Sequence, residues 1–221
     1  MPRRLGSRLA RLLLLVLACY YLYRARRFRY LTPDQLGPDL LHKQVWYVGH
    51  LLAALAVFLG GPLQVSPTLR SRYPAFHRWT GRLNIGGATL AAVTAIYLGA
   101  TIEYDGSRLP IVLLGLLWLF FTLATWRCAL DRNVSGHRLF MIRSYGLALV
   151  LVWLRLMFDL QEWLFFYVQD EAMRDVTRER ASWVIPLLIL GLWLSWLPAV
   201  RGRAHGPRPE PARGLAPAQA G

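Results

Sequence analysis

The sequence predicts an all-α polytopic membrane protein, a transmembrane bundle of about six helices with a four-helix core. Three observations predict it. Hydrophobic residues fill 55% of the 221 positions and charged residues only 17%, against the roughly 25% usual in a soluble domain. Mean hydropathy is +0.33. The charges gather between apolar runs, and those runs have the length that a hydrocarbon layer demands, about 20 residues with roughly 17 to 25 tolerated.

The first run, Leu9–Tyr23, follows a basic start of Arg3, Arg4, Arg8 and Arg11. It reads as an uncleaved anchor rather than a signal peptide. No A-x-A site follows it, and Arg24-Ala25-Arg26-Arg27 comes directly after the run. The second run is Val45–Val65, with Pro62 and Pro67 expected to end its helix, because proline lacks the N–H that the next turn needs. The third is Leu83–Thr101, the fourth Ile111–Leu130, the fifth Leu139–Leu160 and the sixth Val184–Val200. Residues 162–180 mix acids with Arg, for example Asp170 with Arg174 at i+4, and read as a surface helix on the outer leaflet. The organisation is then an anchor and outer linker (1–44), a four-helix core (45–160), an outer segment with the last helix (161–200) and a disordered basic tail rich in Pro, Ala and Gly (201–221).

Charge assigns the orientation. The net charge is +14, and 25 of the 26 basic residues are Arg. With the N-terminus inside, the cytoplasmic pieces carry sixteen bases and the outer pieces nine, the sense of the positive-inside rule. Arg24, Arg26, Arg27 and Arg29 run against the pattern, and the remaining turns outvote them. Because the arginines flank apolar runs, they signal topology and membrane lipid as the partner, and nucleic acid is not expected. Trp and Tyr at segment ends fit the same frame, since amphipathic rings favour the interface. Gly60-Gly61, Gly86-Gly87, Gly115 and Gly146 mark faces where helices can approach closely, either within the bundle or against a membrane-protein partner or second copy.

The two cysteines, Cys19 and Cys128, form no CxxC or Cys/His cluster, so neither a disulfide framework nor a zinc site is indicated. HExxH, GxSxG and Walker patterns are missing, and no reaction is named. The histidines are more informative. His50 lies about two turns into the second run, while His77 and His137 stand in cytoplasmic turns just before the third and fifth. Each of those turns opens with a His-Arg pair (His77-Arg78, His137-Arg138) and places a further Arg about one turn on (Arg82, Arg143). One reading is a pair of interfacial anchors in which Arg78, Arg82, Arg138 and Arg143 contact lipid phosphate. The other is an inward-facing site in which both His ligate or relay protons.

Those turns carry a family resemblance. Gly61-Pro62-Leu63-Gln64, then His77-Arg78-Trp79-Thr80-Gly81-Arg82, then His137 through Met141-Ile142-Arg143-Ser144-Tyr145, then Leu154-Arg155-Leu156 follow in order. The chain resembles, over roughly 45–160, the bacterial membrane-protein family called domain of unknown function 2306. His50 matches that family's His in the preceding helix, and Leu139-Phe140 stands where Arg-Trp is more usual. The resemblance implies a fold and a compartment, the bacterial inner membrane. More distantly, the layout of His is similar to the cytochrome b561 type of haem protein, which implies b-haem held between His residues on facing helices. On that resemblance His50, His77 and His137 are the candidate ligands.

Arg155 lies inside the fifth run, about 24 Å from Leu139 at 1.5 Å per residue, and Asp159 follows at i+4. A charge at that depth is costly unless it is paired or functional. Either Arg155 and Asp159 close the outer end of the helix, or they join His50 in an outer polar pocket for an anion, a quinone head group or a proton. The functional expectation is a small redox or b-haem-binding membrane subunit. The alternatives are a small transporter or ion-conducting protein, and a structural partner of a membrane complex.

Overall fold

The computed structural model describes residues 16, 19, 20, 23, 40–101 and 106–196. Most of the first predicted segment, the arginines at 24–29 and the tail at 201–221 lie outside the described residues. Among those described, eight α-helices run in order: α1 Leu40–Val65, α2 Pro67–Arg72, α3 Pro74–Thr101, α4 Arg108–Leu130, α5 Val134–Ala148, α6 Val150–Asp159, α7 Gln161–Leu164 and α8 Glu171–Gly191. A π-helical turn, Leu192–Trp196, continues α8. No strand occurs among them.

Three helices are long and apolar enough to cross a membrane: α1 from Lys43, α3 and α4. The pair α5–α6, bent by 42°, makes a fourth if it counts as one span. The protein is thus a helical membrane bundle. Its outward faces carry Leu52, Leu59, Leu90, Leu116, Phe120 and Leu123, all exposed. Water would not tolerate that surface, whereas lipid tails match it, so these faces contact lipid.

Association inside lipid gains nothing from apolar burial itself and depends on close fit. The core meets that condition with small side chains. Ala53, Ala54 and Val57 of α1 pack against Ala88, Ala91 and Ala92 of α3, with Trp118 of α4 and Leu147 and Ala148 of α5 completing the cluster. Helix α1 packs on α3, α3 on α4 and α4 on α5, with α1 also touching α5. Helix α8 packs on both α5 and α6. At Gly115 an added Cβ would stand 2.6 Å from the Ile96 side chain and 3.2 Å from its backbone nitrogen, so glycine is what lets α4 reach the α3 backbone. Gly86, by contrast, has nothing within 4 Å.

Pro62 does not end the second helix, which runs through it to Val65. A proline at 62 cannot donate to the Phe58 carbonyl one turn back, and in lipid that lost bond must be replaced. Tyr145 Oη replaces it, donating to Phe58 O at 3.2 Å. The sequence defect thereby becomes a tie between α1 and α5. Asn84 Nδ2 donates to the neighbouring Val57 carbonyl at 3.2 Å, tying α3 to the same turn.

The short turns are capped by side chains. Ser66 accepts from Leu69 N, Asn133 from Gly136 N and Asp170 from Met173 N. That last cap corrects the expected Asp170–Arg174 pair. With its carboxylate taken by the helix N-terminus, Asp170 leaves Arg174 to reach the Val168 carbonyl at 2.8 and 3.0 Å and Glu162 at 3.4 Å. Of the surface helix expected over 162–180, residues 171–180 form the first half of α8, which continues to Gly191, while 161–164 form the separate α7 and a turn joins the two.

Candidate functional site

The two ends of the bundle differ in charge, and the basic end holds the larger cavity. It has a volume of about 450 Å3 and is lined by Gln64, Arg70, His77, Arg132, His137 and Arg138, with Val134 and Met141 as apolar wall. His77 and His137 arrive there from different directions, one in the first turn of α3 and the other in the first turn of α5. The two turns that look alike in sequence therefore face one space.

Each imidazole is held differently. His137 Nδ1 lies 3.0 Å from the Thr125 carbonyl of α4, so that nitrogen is the donor and Nε2 keeps its lone pair. His77 Nδ1 is buried and has no hydrogen-bond partner. A buried polar atom without a partner is uncommon in a settled interior and calls for a ligand or a bonding group. Gln64 braces the His77 turn, its Nε2 donating to Thr80 Oγ1 at 2.6 Å and facing the His77 carbonyl at 3.4 Å. Among the described residues, three arginines line the cavity and no acid does, so the arrangement suits a ligand with acidic groups.

Arg132 has a positive φ of 57°, a region in which a side chain crowds the carbonyl. This strain sits at the pocket wall, in the turn from α4 to α5. Arg132→Gly is expected to stabilise the fold by about 1 kcal/mol, whereas Arg132→Ala keeps the strain. Both variants lose a pocket charge. Thermal unfolding of the pair checks it, and equal stability of the two would contradict a strained turn.

A narrower crevice leads inward from this cavity past Gln64 and His137 to Asn84, Thr122, Ser144 and Tyr145. Thr122 and Ser144 hydroxyls meet at 2.9 Å. Beyond them comes the alanine-rich core, and past that His50. His50 lies fourteen residues from Gln64 along α1, about 21 Å of helix rise. Its Nδ1 contacts the Ala91 carbonyl at 2.9 Å and Thr94 Oγ1 at 3.2 Å, a tie between α1 and α3. Three candidate ligands thus divide into a pair, His77 with His137, and a distant single residue.

Of the arginines expected at lipid phosphate, Arg78, Arg82 and Arg138 are exposed, and Arg82 lies over the Trp79 ring at 5.7 Å. Arg143 is half-buried over Phe121 at 5.9 Å. Arg155 lines a separate pocket at the opposite end with Ser107, Arg178 and Glu179. Neither His50 nor Asp159 lines it. Asp159 instead accepts a hydrogen bond from Tyr20, in the first predicted segment. Sequence reasoning missed Gln64, Arg70 and Arg132 at the basic pocket. Gln64 was legible only as part of the Gly61–Gln64 motif, while the packing of α2 brings in Arg70 and the strained turn brings in Arg132, and neither leaves a periodic signal.

At the opposite end, burial holds the Glu179 carboxyl above the usual carboxylate range, opposed by the Ser107 hydrogen bond and the Arg180 charge. The folded state therefore prefers the proton more than the unfolded chain does. Stability is greatest below the ordinary value of 4.5 and falls as pH rises from there through the raised one. Glu179→Gln should flatten that dependence in thermal unfolding between about pH 4 and pH 8. An unchanged slope would count against it.

A family model described as Predicted membrane protein (DUF2306) matches residues 47–194, which take in both His-Arg turns and α8. No curated protein and no solved structure matches the chain.

Proposed function

The chain belongs to this DUF2306 family of membrane proteins, and from that premise we propose that it is a small membrane redox subunit that holds b-haem at its basic end between His77 and His137. The convergence of two imidazoles on one cavity of about 450 Å3, one with a buried ring nitrogen lacking any partner, carries this reading. The residues fit the group. The volume falls in the range of roughly 300–1,000 Å3 usual for cofactor sites. The Thr125 carbonyl fixes the His137 tautomer and leaves Nε2 for the metal, the second-shell bond that ligating histidines ordinarily have. Arg70, Arg132 and Arg138 suit the two acidic side chains of the macrocycle, and Val134 and Met141 suit its apolar face. When bound, haem would supply one-electron transfer.

The remaining features support binding over conduction. Ala53, Ala54, Val57, Ala88, Ala91 and Ala92 close the interior between the basic crevice and His50 with apolar surface. By the positive-inside rule we place the basic end at the cytoplasmic face of a bacterial inner membrane.

The test is a reduced-minus-oxidised spectrum of the purified protein after haem supplementation. Soret and α bands are expected, and their absence would defeat the proposal. Flux of protons or ions in proteoliposomes of the same preparation would favour the conducting alternative.

A further inference from the structure

The pocket at the opposite end is independent of the haem reading and is built from four charged side chains. Its volume is about 260 Å3. It is lined by Arg155, Arg178, Asp175 and Glu179 together with the apolar Leu154 and Phe158, and Asp175 is ion-paired to Arg178. Arg178 is only 7% exposed, which for an arginine requires firm support. Its guanidinium lies 4.5 Å from the Phe158 ring centre and bonds to Gln161 and Asp175. The Arg178 guanidinium is therefore held in place before any ligand arrives.

Glu179 is held from the other side. Its Oε2 accepts from Ser107 Oγ at 2.5 Å, which joins α8 to the start of α4. Its Oε1 is buried without a hydrogen-bond partner. A carboxylate oxygen in that position needs a donor, and neither lining arginine donates to it. Burial raises the Glu179 pKa for the same reason. A ligand that brings an N–H or ammonium to Glu179 and acidic oxygens to the arginines would satisfy the orphaned Oε1 and match the charges of the lining.

We propose that this pocket binds a small zwitterion, with its ammonium on Glu179 and its acidic oxygens on Arg155 and Arg178. Two sources offer that chemistry: the phosphoethanolamine head group of a lipid, and a free molecule such as an amino acid or O-phosphoethanolamine. The pocket stands at the end of the bundle where Trp163 and Tyr167 are exposed, the ring types favoured at head-group depth.

The experiment uses the full chain in nanodiscs, with thermal unfolding as the readout. One arm compares discs of phosphatidylglycerol alone with discs containing phosphatidylethanolamine or phosphatidylcholine. The other titrates O-phosphoethanolamine, glycine or inorganic phosphate into phosphatidylglycerol discs. A saturable rise in Tm with phosphatidylethanolamine alone assigns the lipid source, and one with the soluble zwitterions assigns the free source. Glu179→Gln is expected to weaken the effective ligand at least tenfold, and Arg127→Ala, at the other end of the bundle, to leave it unchanged. Should Glu179→Gln fail to fold, Glu179→Asp keeps the charge but draws it back, and must also bind more weakly. The proposal is overturned if no zwitterion shifts Tm, or if inorganic phosphate or phosphatidylcholine does so equally, since neither brings an N–H. Binding that survives the Glu179 variants undiminished overturns it as well.

Discussion

Gly61→Ala is expected to destabilise the protein by about 3 kcal/mol, the largest loss expected from alanine at any of the described glycines. A Cβ at Gly61 would lie 1.9 Å from Tyr145 Cε2 and 2.4 Å from two further ring atoms. The ring has to leave, and with it goes the hydroxyl that satisfies the Phe58 carbonyl. Two costs then act together: strain from overpacking, about 1–3 kcal/mol, and a carbonyl stripped of its partner beside Pro62, about 1–3 kcal/mol. They share one side chain, so they do not simply add. Tyr145→Phe separates them, because it removes the hydroxyl and keeps the ring, and should cost about 1 kcal/mol. In the Tyr145→Ala background the Gly61 change should cost far less than in the parent. Chemical or thermal unfolding in detergent gives all four numbers. A Gly61→Ala protein as stable as the parent would place the Tyr145 ring elsewhere.

The second large effect concerns the spectrum. On the proposed site, His77→Ala and His137→Ala are each expected to reduce the haem bands to background, because either change would leave the iron with one protein ligand. His50→Ala should keep the bands. Its ring is engaged with Ala91 and Thr94, so its removal loosens α1 from α3 and costs about 1 kcal/mol of stability instead. The paired outcome is the informative one. Bands lost in His50→Ala and kept in His77→Ala would reverse the assignment of ligands. Arg132→Gly provides a finer check, since relief of its strained turn stabilises the fold while removal of its charge weakens the hold on acidic groups.

Hydropathy made much of the fold legible, and its limits are physical. The last residues of the second, third and fourth runs, Val65, Thr101 and Leu130, coincide with the ends of α1, α3 and α4. Their starts come five, nine and three residues earlier than the apolar runs begin, at Leu40, Pro74 and Arg108. Hydropathy reports where lipid tails lie, whereas a helix continues into the polar layer for as long as its backbone bonds continue. The break at Leu149 in the fifth run had no such signature, since apolar residues continue across it. Pro62 was misread because the partner that rescues its turn is 83 residues away in sequence. The same distinction governs the sites. His77 and His137 were legible as a pair because they repeat one local motif. The grouping of His50 with Arg155 rested on depth alone, and depth along the membrane normal says nothing about azimuth around the bundle. Arg155 proves to face Ser107, Arg178 and Glu179.

The alanine-rich layer between the basic crevice and His50 has a consequence for traffic through the molecule. Its buried members are Ala, Val, Leu and one Trp, whose indole N–H donates but does not titrate. None of these members carries a group that titrates. Such a layer is expected to slow proton passage along the bundle, so a ligand at the proposed basic site would be supplied and drained from that same side.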